Sequence, residues 1–199
     1  MKKLVLVLAC SACLGGKAPH YNYYVLTPAA APRPASPSRA ADAPTVSLSL
    51  VTIPRYLDRE SIVTRADDNR IVYSRQDRWA EPLDEAVTRI LRENLASTLA
   101  PEGITVPPHA GAPTFDLQVE ILRFEKRGRN RVELWARWTL RSEESATQTR
   151  EARIETAIAG PSSADAAAAL SQAIARLAQQ IAGEVRVAAA GVRRHDTGS

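Results

Sequence analysis

Apolar residues along this chain fall into two rhythms, and each predicts a different element. Val46, Leu48 and Leu50 alternate with Ser47 and Ser49, the period-two pattern of a strand with one buried face. At Leu50-Val51 the phase slips, which predicts a bulge or a switch to burial on both sides. Ser61 to Thr64 and Arg70 to Ser74 are short β-rich runs around Asp67-Asp68-Asn69, a turn-forming cluster, and read as a hairpin. Three longer alternations follow. Phe115, Leu117, Val119 and Ile121 share one face. Val132, Leu134, Ala136, Trp138 and Leu140 make the next stripe, and Ala152, Ile154, Thr156 and Ile158 the third. Gly128-Arg129-Asn130, between the first two, is a hairpin turn in composition.

The second rhythm is helical. Leu83, Val87, Ile90, Leu91 and Leu95 recur at three- and four-residue spacing, with Arg89, Arg92 and Glu93 on the opposite side. Pro82 sits where a first-turn proline belongs, Asp84 and Glu85 complement the positive end of the helix dipole, and Pro101 and Gly103 stop the helix. A second helix begins near Ser163. Ser162 and Asp165 resemble a capping box, and Leu170, Ile174, Leu177, Ile181 and Val185 form one stripe. The flanking Ala166, Ala169, Ala173, Ala178 and Ala182 allow close packing on a sheet. Together these elements predict an α+β fold, a mostly antiparallel sheet with two amphipathic helices packed on one face.

The ends of the chain follow neither rhythm. Met1-Lys2-Lys3, the apolar run Leu4 to Ala9 and the small residues around Cys10 and Cys13 have the three parts of an export signal. The run is too short to cross a bilayer, which takes about 20 helical residues. A cysteine after the cleavage point makes this a lipoprotein signal, because its thiol can carry acyl chains that hold a protein on a membrane. Cys13, preceded by the small pair Ser11-Ala12, is the expected anchor, with Cys10 as the alternative. Leu14 follows rather than the aspartate associated with inner-membrane retention, so the expected location is the periplasmic side of the outer membrane. Tyr23 to Leu26 is strand-like, and whether it joins the sheet is open on pattern alone. Thr27 to Pro44, rich in Ala, Pro and Ser, reads as an extended linker. The expected organisation is a signal over 1–12, a tether over 13–44, one domain over 45–190 and a frayed tail over 191–199.

Composition adds bounds rather than a function. Lys and Arg number 26 against 22 Asp and Glu, a formal net charge of +4, and the signs are interleaved. That is a solvated surface rather than a nucleic-acid footprint. Both cysteines precede the domain, so its core must hold it without a disulfide. His20, His109 and His195 are scattered without metal-ligand spacing, and no phosphate loop or nucleophile elbow occurs. Asp67-Asp68-Asn69 lacks the glycine and distal glutamate of a calcium loop. Asp58, Glu81, Asp84 and Glu85 are explained by loop and helix-start settings. The stretch Arg123 to Arg131, which contains Glu125 and lies on the expected hairpin, reads as an exposed loop or a headgroup-facing edge rather than a nucleic-acid patch. No catalytic residue, metal or cofactor is implied.

Several short segments carry a resemblance. Tyr23-Tyr24 and Leu26 are followed by Val51-Thr52-Ile53-Pro54-Arg55-Tyr56-Leu57-Asp58-Arg59, then Ile62-Val63-Thr64-Arg65. Arg78-Trp79-Ala80-Glu81-Pro82-Leu83 opens a helix that runs to Glu93-Asn94-Leu95. The chain resembles the PqiC-type auxiliary lipoproteins of ABC transporters, partners of MCE-domain lipid transporters. The resemblance implies a non-enzymatic subunit that helps an inner-membrane ABC/MCE assembly move lipid and so supports envelope integrity. The expected partners are the MCE-domain protein and the ABC and permease components. The membrane is reached through acyl chains, nucleic acid is not expected, and self-association stays open. An envelope scaffold acting on cell-wall synthesis is the alternative. Tyr56, Leu57, Asp58 and Arg59 follow a strand directly, with a proline turning the chain out of the sheet. An aromatic anchor beside paired charges is suited to partner binding. Trp79 either faces the partner too or packs where helix meets sheet.

Overall fold

The computed structural model describes residues 19–29, 43–108, 112–143 and 146–196. The leader with Cys10 and Cys13, most of the Pro/Ala-rich linker, His109 and the last three residues lie outside the described residues, as do the side chains beyond residue 191. Among the described residues seven strands form one sheet: β1 (Asn22–Tyr24), β2 (Val46–Thr52), β3 (Ser61–Asp67), β4 (Arg70–Trp79), β5 (Phe115–Arg127), β6 (Arg131–Arg141) and β7 (Gln148–Ala157). Two helices, α1 (Leu83–Leu99) and α2 (Ser163–Asp196), complete the α+β fold.

The sheet runs β1-β4-β3-β5-β6-β7, and β2 also pairs with β5. The long pairings, β5 with β6 and β6 with β7, are antiparallel, whereas β1–β4, β2–β5 and the short β3–β5 contact are parallel. β2 occupies the first half of β5 and β3 meets its last residues, at Lys126 and Arg127. The two strands therefore follow one another along a single long neighbour, and the segment between them, residues 53–60, spans the gap. The phase slip at Leu50-Val51 is a register shift between Leu48 and Leu50.

The alternating residues face as expected. Phe115, Leu117, Val119 and Ile121 point inward with Val132, Leu134, Ala136, Ile154 and the stripes of both helices. A register shift between Ile121 and Arg123 lets Phe124 rejoin the core and turns Arg123 outward. α2 is capped as its sequence suggests: the Asp165 N–H donates to Ser162 Oγ and the Ser162 N–H to Asp165 Oδ2, each at 3.1 Å. α1 starts one residue after Pro82, whose carbonyl accepts the Ala86 N–H at 3.0 Å. Gly103, at φ 73°, takes the left-handed conformation that turns the chain beyond α1.

The N-terminal segment belongs to this fold. β1 pairs with β4 through Asn22, Tyr23 and Tyr24, and Leu26 is buried. The chain then crosses both helices, with the Thr27 N–H donating to Ser171 Oγ on α2 and the Ala29 N–H to Asn94 Oδ1 on α1. At the other end α2 continues through Gly191 to Asp196, where the sequence suggested a frayed tail. No described helix is long and apolar enough to cross a membrane.

Asp77 ties β1 to the body. It accepts hydrogen bonds from Asn22 Nδ2 and Ser74 Oγ, each at 3.0 Å, from Ser163 Oγ at 2.9 Å and from the Tyr24 hydroxyl at 3.4 Å. Partial burial pushes its carboxyl up, but these donors outweigh that and hold it below the usual 3.8. A depressed folded value means that the stabilisation is present above the unfolded value and is lost as pH falls through the folded one. Asp77→Ala is expected to cost about 1–2 kcal/mol, the scale of hydrogen bonds to a partly exposed charge. Hydrogen exchange should then rise selectively at residues 22–24. Unchanged exchange there would show that the pairing with β4 holds β1 without Asp77.

Candidate functional site

The gap between β2 and β3 creates the site. Pro54 ends the strand run, and its carbonyl accepts the Leu57 N–H at 2.9 Å. The Asp58 N–H reaches Arg55 O at 3.3 Å and the Arg59 N–H reaches Leu57 O at 2.8 Å, so the loop is a succession of tight turns. These turns send neighbouring side chains in different directions. Leu57 is buried in the core, Tyr56 is half-buried over the sheet, and Asp58, Arg59 and Glu60 are exposed.

Three segments meet where this loop ends. The Trp79 N–H donates to Glu60 O at 2.6 Å and the Ala80 N–H to Tyr24 O at 2.9 Å, joining the loop, β1 and the entry to α1. Between them lies an open cleft of about 380 Å³, lined by Tyr23, Asp58, Arg59, Glu81 and Pro82 among others. Trp79 and Leu83 are its apolar floor, and both are buried. Glu81 is fixed by an ion pair with Arg89, which also reaches Glu93 at 3.6 Å. The Arg59 guanidinium lies 5.1 Å from the centre of the Tyr73 ring.

Of the five residues that the sequence suggested for partner binding, Asp58 and Arg59 reach solvent at the cleft. Leu57 and Trp79 offer their side chains to the core instead. Trp79 packs in the core at the helix–sheet junction and also lines the cleft. Tyr56 turns inward to a group that the sequence did not flag. Its hydroxyl donates to Glu125 Oε2 at 2.7 Å. Glu125 is fully buried, its other oxygen pairs with Arg65 Nε at 2.6 Å, and the Phe124 N–H donates to it at 3.1 Å.

This buried carboxylate has a physical reason for its three donors. Glu125 lies directly across from Glu133 on β6, and opposed like charges destabilise a sheet. Arg65 takes Glu125, while Arg123 at 3.4 Å and Arg127 at 3.1 Å take Glu133. Arg127 also pairs with Asp68 at 3.1 Å and Arg131 with Glu155 at 3.5 Å. The stretch from Arg123 to Arg131 is therefore strand and turn, not an exposed loop, and its arginines at 123, 127 and 131 are committed to carboxylates. Burial pushes the Tyr56 phenol well above its usual value, and Glu125 adds to that shift more than Arg65 relieves it. Tyr56 therefore stays a donor throughout the neutral range. Among the described residues no group of three or more His, Cys, Asp or Glu side chains is placed to hold a metal ion.

A branched α+β sheet backed by two helices, with an open, charge-rimmed cleft beside its edge strand, is the class of domain that these elements build. The family follows from comparison with known proteins: residues 24–182 match the model of the ABC-type transport auxiliary lipoprotein component, and the chain belongs to that family. Its family is thus one of auxiliary lipoproteins of ABC-type transport. Two solved structures share the fold. One, described as an uncharacterized protein, is 23% identical, with 83% of this chain and 99% of the other covered and a TM-score of 0.71. The other, a Xanthomonas campestris protein of family DUF330, is 16% identical over 89% of this chain and 99% of its own, with a TM-score of 0.67. No curated protein matches the chain.

Proposed function

We propose that this chain is a lipid-anchored periplasmic subunit of an ABC/MCE-type lipid transport system, held at the outer membrane by acylation of Cys13 (or, alternatively, Cys10). It acts by protein–protein contact, and the assembly it serves supports envelope integrity. The cleft is the docking site, with Asp58 and Arg59 as its charged contacts and Trp79 as part of its floor. Leu57 and Tyr56 contribute by fixing the loop that presents those charges. The observation that carries this reading is the convergence of the Tyr23, Asp58-to-Glu60 and Trp79-to-Leu83 segments, remote in sequence, on one cleft. An aromatic floor with opposite charges at the rim is the composition of a protein contact.

The test is capture of the MCE-domain and permease components from detergent-solubilised envelope. The double charge reversal Asp58→Lys/Arg59→Glu is expected to weaken capture at least tenfold, about 1.4 kcal/mol. Thermal unfolding should hardly move, since exposed substitutions usually stay within about 0.5 kcal/mol. Capture at the native level by the variant, or no MCE-domain protein recovered by the native chain, would refute the proposal.

A further inference from the structure

Six large apolar side chains stand exposed among the described residues, and four of them, Tyr23, Val25, Val72 and Tyr73, lie on or beside two adjacent strands. β1 is the outermost strand of its end of the sheet, and it pairs only with Asp77, Arg78 and Trp79. The outer side of β4 from Arg70 to Gln76 therefore has no strand against it among the described residues. Arg70 and Arg75 are exposed on that stretch. Arg70 is tied to Asp67 at 3.0 Å on the hairpin tip, and both groups of that pair remain more than half exposed.

We infer that this β1/β4 edge lies against the bilayer, and that its Tyr, Val and Arg side chains bind an anionic phospholipid surface. The inference rests on the lipid anchor of the proposed function and adds a protein face to it. Its first support is chain length. Seven residues lie between Cys13 and Tyr21, and even fully extended the eight steps span at most about 29 Å. The edge on which the chain enters the fold is thus the edge that the anchor holds near the lipid. The second support is chemistry. Tyrosine suits the boundary between headgroups and acyl chains, the valines can enter its apolar side, and juxtamembrane arginines attract anionic headgroups. The acyl chains of a lipoprotein cysteine already hold it on a membrane, but they leave its orientation free. A few apolar and basic side chains on the edge set which way the domain faces. Tyr23 joins this edge to the cleft rim, so the cleft would lie beside the membrane.

The test uses the full, acylated chain with an environment-sensitive dye on Val72→Cys, in the background where that is the one free thiol. It is reconstituted on vesicles of phosphatidylethanolamine with phosphatidylglycerol. The expected result is a blue-shifted, several-fold brighter dye that is quenched by spin-labelled lipid. The same dye on Val187→Cys, exposed on α2, should stay in water. The shift at residue 72 should shrink with Arg75→Glu, in phosphatidylcholine vesicles, and in high salt, which screens exposed charges. A dye that stays in water at residue 72 on a chain that floats with the vesicles would overturn the inference and leave the anchor standing. Shielding that appears only when transporter components are added would make the edge a protein surface and overturn it as well. An equal shift at residue 187, or one indifferent to lipid charge, would do the same. Mass spectrometry that finds no acyl chain would remove the anchor and, with it, the argument for the edge.

Discussion

Trp79→Ala is expected to remove about 3–5 kcal/mol of stability, the usual cost of emptying a large aromatic site in a packed interior. Trp79 is 4% exposed and packs with the buried side chains at the start of α1. The surroundings have little freedom to collapse into the space. The Trp79 N–H is bonded to the loop, the next N–H to β1, and Pro82 and Leu83 begin the helix immediately after. Urea titration should show a lower midpoint with an unchanged slope. Trp79→Phe should recover most of the loss. A midpoint within error of the native protein, together with lost partner capture, would instead place the indole in the interface. The substitution also separates two ideas that the sequence alone left joined, since a floor residue can weaken docking by deforming the cleft. Comparing it with Asp58→Lys/Arg59→Glu resolves them: the former loses stability and binding together, the latter binding alone.

Arg65→Ala is the second large effect. Removing one member of a buried ion pair typically costs about 3–5 kcal/mol, because the other charge is left without compensation. Here the stranded group is the fully buried Glu125, left with the Tyr56 hydroxyl and the Phe124 N–H as its donors. Tyr56→Phe removes a single hydrogen bond to the same carboxylate and should cost about 1.5–3 kcal/mol. The two changes share a partner, so a double-mutant cycle should be non-additive. Denaturant unfolding followed by circular dichroism reads all three variants. The folded chain holds the Tyr56 proton more tightly than the unfolded one, whose value is near 10.0. Its contribution is therefore complete below that pH and declines as pH rises through the folded value. Native protein should lose stability in alkali more steeply than Tyr56→Phe does. Equal alkaline profiles would refute the assignment.

These residues also show which parts of the molecule are legible in a linear sequence. Period-two and helical stripes marked β5, β6, β7, α1 and α2 because each stripe is a local record of one buried face. The turn at Asp67-Asp68-Asn69 and the cap at Ser162 were legible for the same reason, as their chemistry is complete within a few residues. Leu57 was not. It stands beside Arg55, Asp58 and Arg59, and local pattern makes it a surface residue. Only the end-to-end placement of β2 and β3 along β5 opens the hole that it fills. Glu125, set in a basic stretch, looks solvated until Arg65, sixty positions earlier, is found 2.6 Å away. β4 extends past Ser74 through Arg75, Gln76, Asp77 and Arg78, where no apolar alternation signals a strand. Its last residues, from Asp77 on, are paired with β1, which lies on the far side of the linker. Asn94 belongs to the motif that carried the resemblance, yet its task, accepting the Ala29 N–H, becomes visible only when the N-terminal segment is seen crossing the helices.

That crossing has a mechanical consequence. On the proposed function, a subunit fixed to a membrane and gripped by a transporter would be pulled between two points, and the load would enter this chain at its N-terminal end. It meets β1 first, where three residue pairs with β4 and the Asp77 hydrogen bonds resist together. Behind β1 it meets Leu26 in the core and the two backbone donors clipped to Ser171 and Asn94. Both helices therefore share the tension before it reaches the linker. A load borne there would not have to pass through the Pro/Ala-rich connection downstream.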